Sequence, residues 1–192
     1  MTISHWLILA LWLVLIAFWA ISAAGVKRNV NGARVWRREI GLRLGILAFV
    51  LLALRIPAFR QALRNAGLYA VNTSMLMGLI GVAFCALGVG LAITARVYLG
   101  RNWGMPMSQK ENPELVTTGP YAFIRHPIYT GIFLAMLGST IGLSLIWLLP
   151  LILVGAYFVF SAQREEKLML EQFPQRYPAY MKRTKMLLPF VL

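Results

Sequence analysis

The chain has 192 residues, 59% of them hydrophobic and 13% charged. Charge near ~25% is usual in soluble domains, so an ordinary water-soluble fold is excluded, and the length leaves room for a single domain over residues 1–192. The net charge of +13 raises the question of nucleic acid. There is no base-stacking motif and no extended basic arm, however, and the Lys and Arg flank apolar runs, where membrane orientation and anionic headgroups account for them.

In chain order, residues 3–26 carry no Lys, Arg, Asp or Glu and end at Lys27-Arg28. At ~1.5 Å per residue this crosses a ~30 Å hydrocarbon layer. It is longer than a signal-peptide core and has no basic residue before it, so it reads as a retained first helix. Residues 40–59 are a second candidate, either a span whose Arg43 and Arg55 snorkel to the two interfaces or a re-entrant hairpin. Residues 66–95 are uncharged and rich in small side chains, giving a third span in which Gly78, Gly81, Gly88 and Gly90 let helices approach closely. Cys85, the only cysteine, lies inside it and reads as a packed small residue, leaving no disulfide and no cysteine metal site. From Arg96 to His126 runs a polar connector whose length without a period marks a functional loop. The 37 uncharged residues from Pro127 to Gln163 exceed one span. A turn near Gly142 divides them into helices at 128–141 and 145–169, with Pro150 early in the second. The expected fold is an all-α integral membrane bundle of five spans.

Six Lys or Arg lie between Lys27 and Arg43, four between Arg96 and Arg125, and six between Arg164 and Lys185, against three (Arg55, Arg60 and Arg64) after the second span. By the positive-inside rule the heavier groups face the cytoplasm, with the N-terminus outside and the C-terminus inside. The three arginines on the other side run against that rule.

The stretch Leu115 to Gly131 holds one of two histidines, between two apolar regions. Gly119-Pro120 makes a turn, and Pro127 opens a helix with Arg125 and His126 at its mouth, where donors and the helix N-terminus together suit an anion. His5, the other histidine, is expected on the opposite face, so no metal site is expected. By itself His126 is a ligand, a base or a polar helix-start residue. Glu165 and Glu166 end the long uncharged run, either as an interfacial pair neutralised by Arg164 and Lys167 or as part of a site. Adjacent helical positions diverge by ~100°, so at most one of the two is expected to face a pocket.

Leu115-Val116-Thr117-Thr118-Gly119-Pro120-Tyr121, then Arg125-His126-Pro127-x-Tyr129-x-Gly131, Glu165-Glu166 and Phe173-x-x-x-Tyr177-x-x-Tyr180 resemble, in order and spacing, the isoprenylcysteine carboxyl methyltransferase family and its phospholipid methyltransferase relatives. The resemblance covers about residues 96–190, placing the catalytic half at about 96–192. It departs at Pro174, where Gly is usual, and at Thr184-Lys185, where Val-Pro is frequent. It implies an S-adenosylmethionine-dependent enzyme, here of the bacterial inner membrane, with a cytoplasm-facing cofactor pocket and a lipophilic small-molecule or lipid substrate entering from the bilayer. Nucleic acid and metal are not among the expected partners.

The cofactor contacts so implied are His126, Tyr129, Glu165 and Glu166, with Leu115, Val116, Gly119 and Tyr121 from the connector. Gly88-x-Gly90 serves either cofactor approach or helix packing, and Tyr121 and Tyr129 either pack on adenine or belong to the interfacial aromatic belt. Arg125 and Arg183 match arginines associated with the substrate carboxylate, a task suited to a planar guanidinium; otherwise they are snorkelling anchors. A carboxylate acceptor needs no general base, which fits a chain without a Ser-His-Asp set. The acceptor that fits best is an isoprenylcysteine-like carboxylate. Phospholipid N-methylation is the alternative, followed by a membrane sterol-type reductase using a nicotinamide cofactor and a non-enzymatic membrane subunit.

Overall fold

A computed structural model describes residues 2–23, 55–103 and 114–187, with positions 41, 45, 48 and 52 between them. Six α-helices are described: α1 (Ile3–Ser22), α2 (Pro57–Asn65), α3 (Met75–Leu99), α4 (Pro127–Gly142), α5 (Leu148–Gln172) and α6 (Tyr177–Arg183). Short 3-10 turns at Gly100–Asn102, Gly119–Ala122 and Leu145–Trp147 punctuate them.

Among the described residues, three helical stretches are long and apolar enough to cross a membrane: Ile3–Ser22, Met75–Asn102 and Leu145–Gln172. Helix α4 is also apolar but has 16 residues, ~24 Å at 1.5 Å per residue. The expected second span at 40–59 falls largely outside the described residues, apart from its end, where α2 begins at Pro57. The expected hairpin agrees closely with α4 and α5, and Pro150 lies in the first turn of α5, where its missing N–H costs no hydrogen bond.

Two expected boundaries are corrected. Helix α3 starts at Met75 rather than Ala66, because Ser74 caps it by accepting from the Met77 amide. The uncharged residues before it are not helical: Gly67 takes a positive φ of 71°, the Asn72 amide donates to Leu143 O at 2.8 Å, and Ser144 Oγ donates to Leu68 O at 2.9 Å. At its other end α3 continues past Arg96, which was expected to open the connector. Arg96 is only 5% exposed; it donates to the terminal carbonyls of Gly100 (2.8 Å) and Ser22 and lies over the Trp103 ring. A cation against two helix C-termini meets their partial negative charge, which explains how it is held there.

The core lies where α3 and α4 run against each other. Gly81 and Gly88 of α3 face Gly131, Gly138 and Gly142 of α4, and a Cβ on Gly138 would stand 2.5 Å from the Cys85 amide nitrogen. The backbones touch because the side chains are missing. Ile8 and Leu15 of α1 close this cluster with Cys85, Val89, Ala92 and Ala135. Gly88 is therefore a packing residue, whereas Gly90 is exposed with open space where a Cβ would go. Gly138→Ala should lower the melting temperature in detergent through ~1–3 kcal/mol of overpacking. Gly90→Ala should leave it unchanged or higher, so any loss of cofactor affinity in that variant reports on a pocket rather than on packing.

The helices run so that the last turns of α1, α3 and α5 and the start of α4 share one end. Chemistry-bearing side chains collect there.

Candidate active site

Helix α4 starts at Pro127 with His126 as its flanking residue, as expected from the sequence. The four residues before it are held from outside. Ile124 forms a parallel bridge with Lys185, the Arg125 amide donates to Lys185 O at 2.8 Å, and the His126 amide donates to Met186 O at 3.1 Å. Thr130 Oγ1 donates to Leu187 O at 2.5 Å, and Tyr180 OH to the Tyr121 carbonyl at 2.6 Å. The tail after α6 thus serves as a strap that fixes where Arg125 and His126 point.

Helix α5 brings two carboxylates to this mouth. Glu166 Oε1 accepts from Arg125 Nε at 2.6 Å, in a pair only 10% and 12% exposed. Arg125 Nη1 donates further to the carbonyls of Thr184 (2.5 Å) and Met181 (3.2 Å). Glu165 Oε1 accepts from Tyr129 OH at 2.5 Å, and its Oε2 lies 3.3 Å from His126 Nδ1. The His126 ring stacks on Tyr129 at 5.5 Å, and Tyr129 on Phe158 at 4.4 Å. Both glutamates therefore turn to the cluster, against the expectation that at most one would. The long side chain spans the ~100° between neighbouring positions.

One donor is left over. His126 Nε2 is buried with no hydrogen-bond partner among the described residues; Glu166 Oε1, at 3.6 Å, is too far for one. Burial by itself lowers the His126 pKa, but hydrogen bonding to Glu165 and the negative charges of Glu165 and Glu166 outweigh it and raise the pKa above the usual ~6.5. A raised folded-state value means that charged His126 stabilises the fold fully below ~6.5, and that this is lost as pH rises through the folded value. The melting temperature should therefore fall on the alkaline side of ~6.5, and His126→Gln should flatten that part of the profile.

The other expected residues are spread more widely. Leu115 and Val116 are half-buried in the extended segment before the Gly119 turn, where Gly119 has φ 60° beside the Tyr98 ring. Tyr121 is buried outside the ring stack, and its carbonyl anchors α6. Arg183 is exposed at the end of α6, and among the described residues it has no hydrogen bond or ion pair with Arg125, Glu165 or Glu166. Phe158 was missed, although it stands seven residues before Glu165 and so shares its face. The strap was also missed, because nearly every bond to it is accepted by or shared between backbone groups, which no side-chain pattern announces.

Residues 76–176 match the phospholipid methyltransferase family, over more than half of the chain. The chain belongs to that family. A protein-S-isoprenylcysteine O-methyltransferase of Schizosaccharomyces pombe is 30% identical over 84% of this family member and 69% of its own length. The nickel-cobalt-cadmium resistance protein NccN of Alcaligenes xylosoxydans is 29% identical over 56% of this chain and 52% of its own. The solved eukaryotic intramembrane Ras methyltransferase, isoprenylcysteine carboxyl methyltransferase, superposes with a TM-score of 0.55 at 29% identity. That match covers 60% of this chain and 43% of the solved one. The chain thus spans about half the length of these last two proteins. The matched segment contains Arg125, His126, Tyr129, Glu165 and Glu166 together, and it is a membrane methyltransferase segment.

Proposed function

We propose that this protein transfers a methyl group from S-adenosylmethionine to a lipophilic acceptor, best fitted by an isoprenylcysteine-like carboxylate. The observation that carries the reading is the Arg125–Glu166 and Tyr129–Glu165 cluster at one end of an apolar bundle, with a buried His126 donor left unpaired. The cofactor, when bound, supplies an electrophilic methyl on a sulfonium.

The donor set suits such a molecule. Glu165, the more exposed glutamate, accepts from hydroxyl or ammonium groups, and His126 Nε2 donates to a carboxylate. Tyr129 and Phe158 offer ring faces, with Gly90, Leu115, Val116, Gly119 and Tyr121 placed around the entrance in this reading. Arg125 and Arg183 would orient the acceptor carboxylate, and the apolar helices exclude water.

The same reading makes the chain one domain of five spans with the cluster facing the cytoplasm. Helices α1 and α3 run parallel, since Ser22 meets Arg96 at one end while the α3 start and the α4–α5 turn lie at the other. Ala23 and the α2 segment therefore lie at opposite ends of the bundle, which supports reading a span near 40–59. Among the described residues, Arg96, Arg101, Arg125 and the group from Arg164 to Lys185 lie at the site end, as the positive-inside rule requires of a cytoplasmic face.

A phospholipid amine is the second reading. The buried His126–Glu165 pair favours it by offering a sink for the proton that an amine must lose. The test is calorimetric titration of the purified protein in detergent with S-adenosylmethionine and with NADPH, followed by methyl transfer to an S-prenyl N-acylcysteine and to phosphatidylethanolamine. Binding of S-adenosylmethionine alone and turnover of the carboxylate are expected. Binding of NADPH instead would sink the methyltransferase reading, and turnover of only the amine would put the second reading first.

A further inference from the structure

The three arginines that run against the positive-inside pattern gather on α2 and the residues just before it. Arg60 and Arg64 are four apart and share a face, and Arg55 stands two residues before the helix. Phe59 and Leu63 form the apolar side, and α2 separates its two sides more sharply than the four longer helices α1, α3, α4 and α5. Leu63 alone is buried, while Ile56 is 54% and Phe59 37% exposed. With 9 residues α2 is ~14 Å long, too short to cross a membrane and suited to lying in its surface.

Its height in the bundle is fixed. Leu68, just after α2, accepts from Ser144 Oγ, and Asn72 bonds to Leu143 O and Ile141 O. These tie the segment to the α4–α5 turn, at the end opposite Arg125 and Glu166. Beside it Tyr69, Val71 and Met75 are 40%, 59% and 80% exposed. Cations and apolar side chains thus alternate where a bilayer interface would lie.

No acidic residue occurs between Glu39 and Glu111. Among the described residues none of the three arginine side chains has a hydrogen bond or an ion pair, and all three are exposed. We propose that Arg55, Arg60 and Arg64 form a binding site for anionic phospholipid headgroups in the leaflet opposite the catalytic end. A guanidinium fork matches phosphate oxygens, and its stem lies along the apolar stripe while the head reaches the phosphate plane. Three cations with no carboxylate paired to them among the described residues favour a net-negative headgroup over a zwitterionic one.

The full chain, reconstituted in vesicles, would be labelled with a photoreactive phosphatidylglycerol and with a photoreactive phosphatidylcholine, and the adducts mapped by peptide. Phosphatidylglycerol should label peptides covering 55–65 preferentially, each arginine contributing about fivefold to the preference. The Arg55→Gln/Arg60→Gln/Arg64→Gln variant should lose that labelling about 10-fold or more while keeping adducts at 164–185 and the wild-type melting temperature in neutral detergent. Equal labelling by the two lipids, or unchanged labelling of the triple variant, would overturn the site. Loss of labelling to millimolar inorganic phosphate would overturn the lipid assignment in favour of a soluble anion.

Discussion

Glu166→Gln is expected to lower both stability and cofactor affinity, while Glu165→Gln lowers affinity and leaves the melting temperature close to wild type. The difference follows from what each carboxylate holds. Glu166 is the counterion of Arg125 in a pair with 10% and 12% exposure, and its removal leaves a buried guanidinium uncompensated, a loss of ~3–5 kcal/mol in comparable sites. Arg125 also holds the carbonyls of Thr184 and Met181, so loosening it frees the strap that positions His126. Glu165 is 24% exposed and bonds a neutral phenol and, at 3.3 Å, His126, so its loss costs the fold less than loss of the Arg125 counterion, and least above the His126 pKa. Its charge-assisted bond to the cofactor would be worth ~1.5–3 kcal/mol, roughly 10- to 150-fold in affinity. Thermal melts and calorimetry on the two single variants and the double separate these effects. Unchanged affinity in all three would remove the acidic pair from the cofactor site.

Much of this arrangement was legible in the sequence because it is written in side-chain types. Pro127 after Arg125-His126 starts α4 where expected, and Glu165-Glu166 at the end of an uncharged run arrive at the same mouth. What was not legible has physical causes. An uncharged stretch such as 66–74 looks like helix by hydropathy, yet Asn72 and Ser74 spend their polar groups on a turn and a cap. Arg96 looks like the end of a span, because charge ordinarily leaves the bilayer; two helix C-termini and a Trp ring keep it buried within the continuing helix. The pairing of 123–126 with 184–187 rests largely on backbone groups, and Thr184-Lys185 departs from the family pattern at that point. Gly88 and Gly90 look alike in sequence, and the facing glycines of α4 tell them apart.

The two arginines proposed for the acceptor should now behave differently from each other. Arg183 is exposed at the end of α6, so Arg183→Ala should leave melting temperature and cofactor affinity intact while lowering turnover of a prenylcysteine-like carboxylate about 10-fold or more. Arg125 already spends Nε on Glu166 and Nη1 on the strap, so Arg125→Ala should depress turnover and stability together. Arg125→Lys keeps the charge but presents no planar fork, and should recover part of the stability and little of the turnover. For both side chains to reach one acceptor, the end of α6 must bring Arg183 toward the cluster, and an anionic headgroup is the ligand that would draw it there. A hydrated carboxylate is a poor nucleophile, and a low-dielectric site holds it only when paired with positive charge, so orientation and desolvation both depend on these groups. Assays per folded molecule, with cofactor binding as the measure of folding, decide the matter. Wild-type turnover in Arg183→Ala would end the paired-arginine reading and shift the balance to an amine acceptor, whose lost proton the buried His126–Glu165 pair can take.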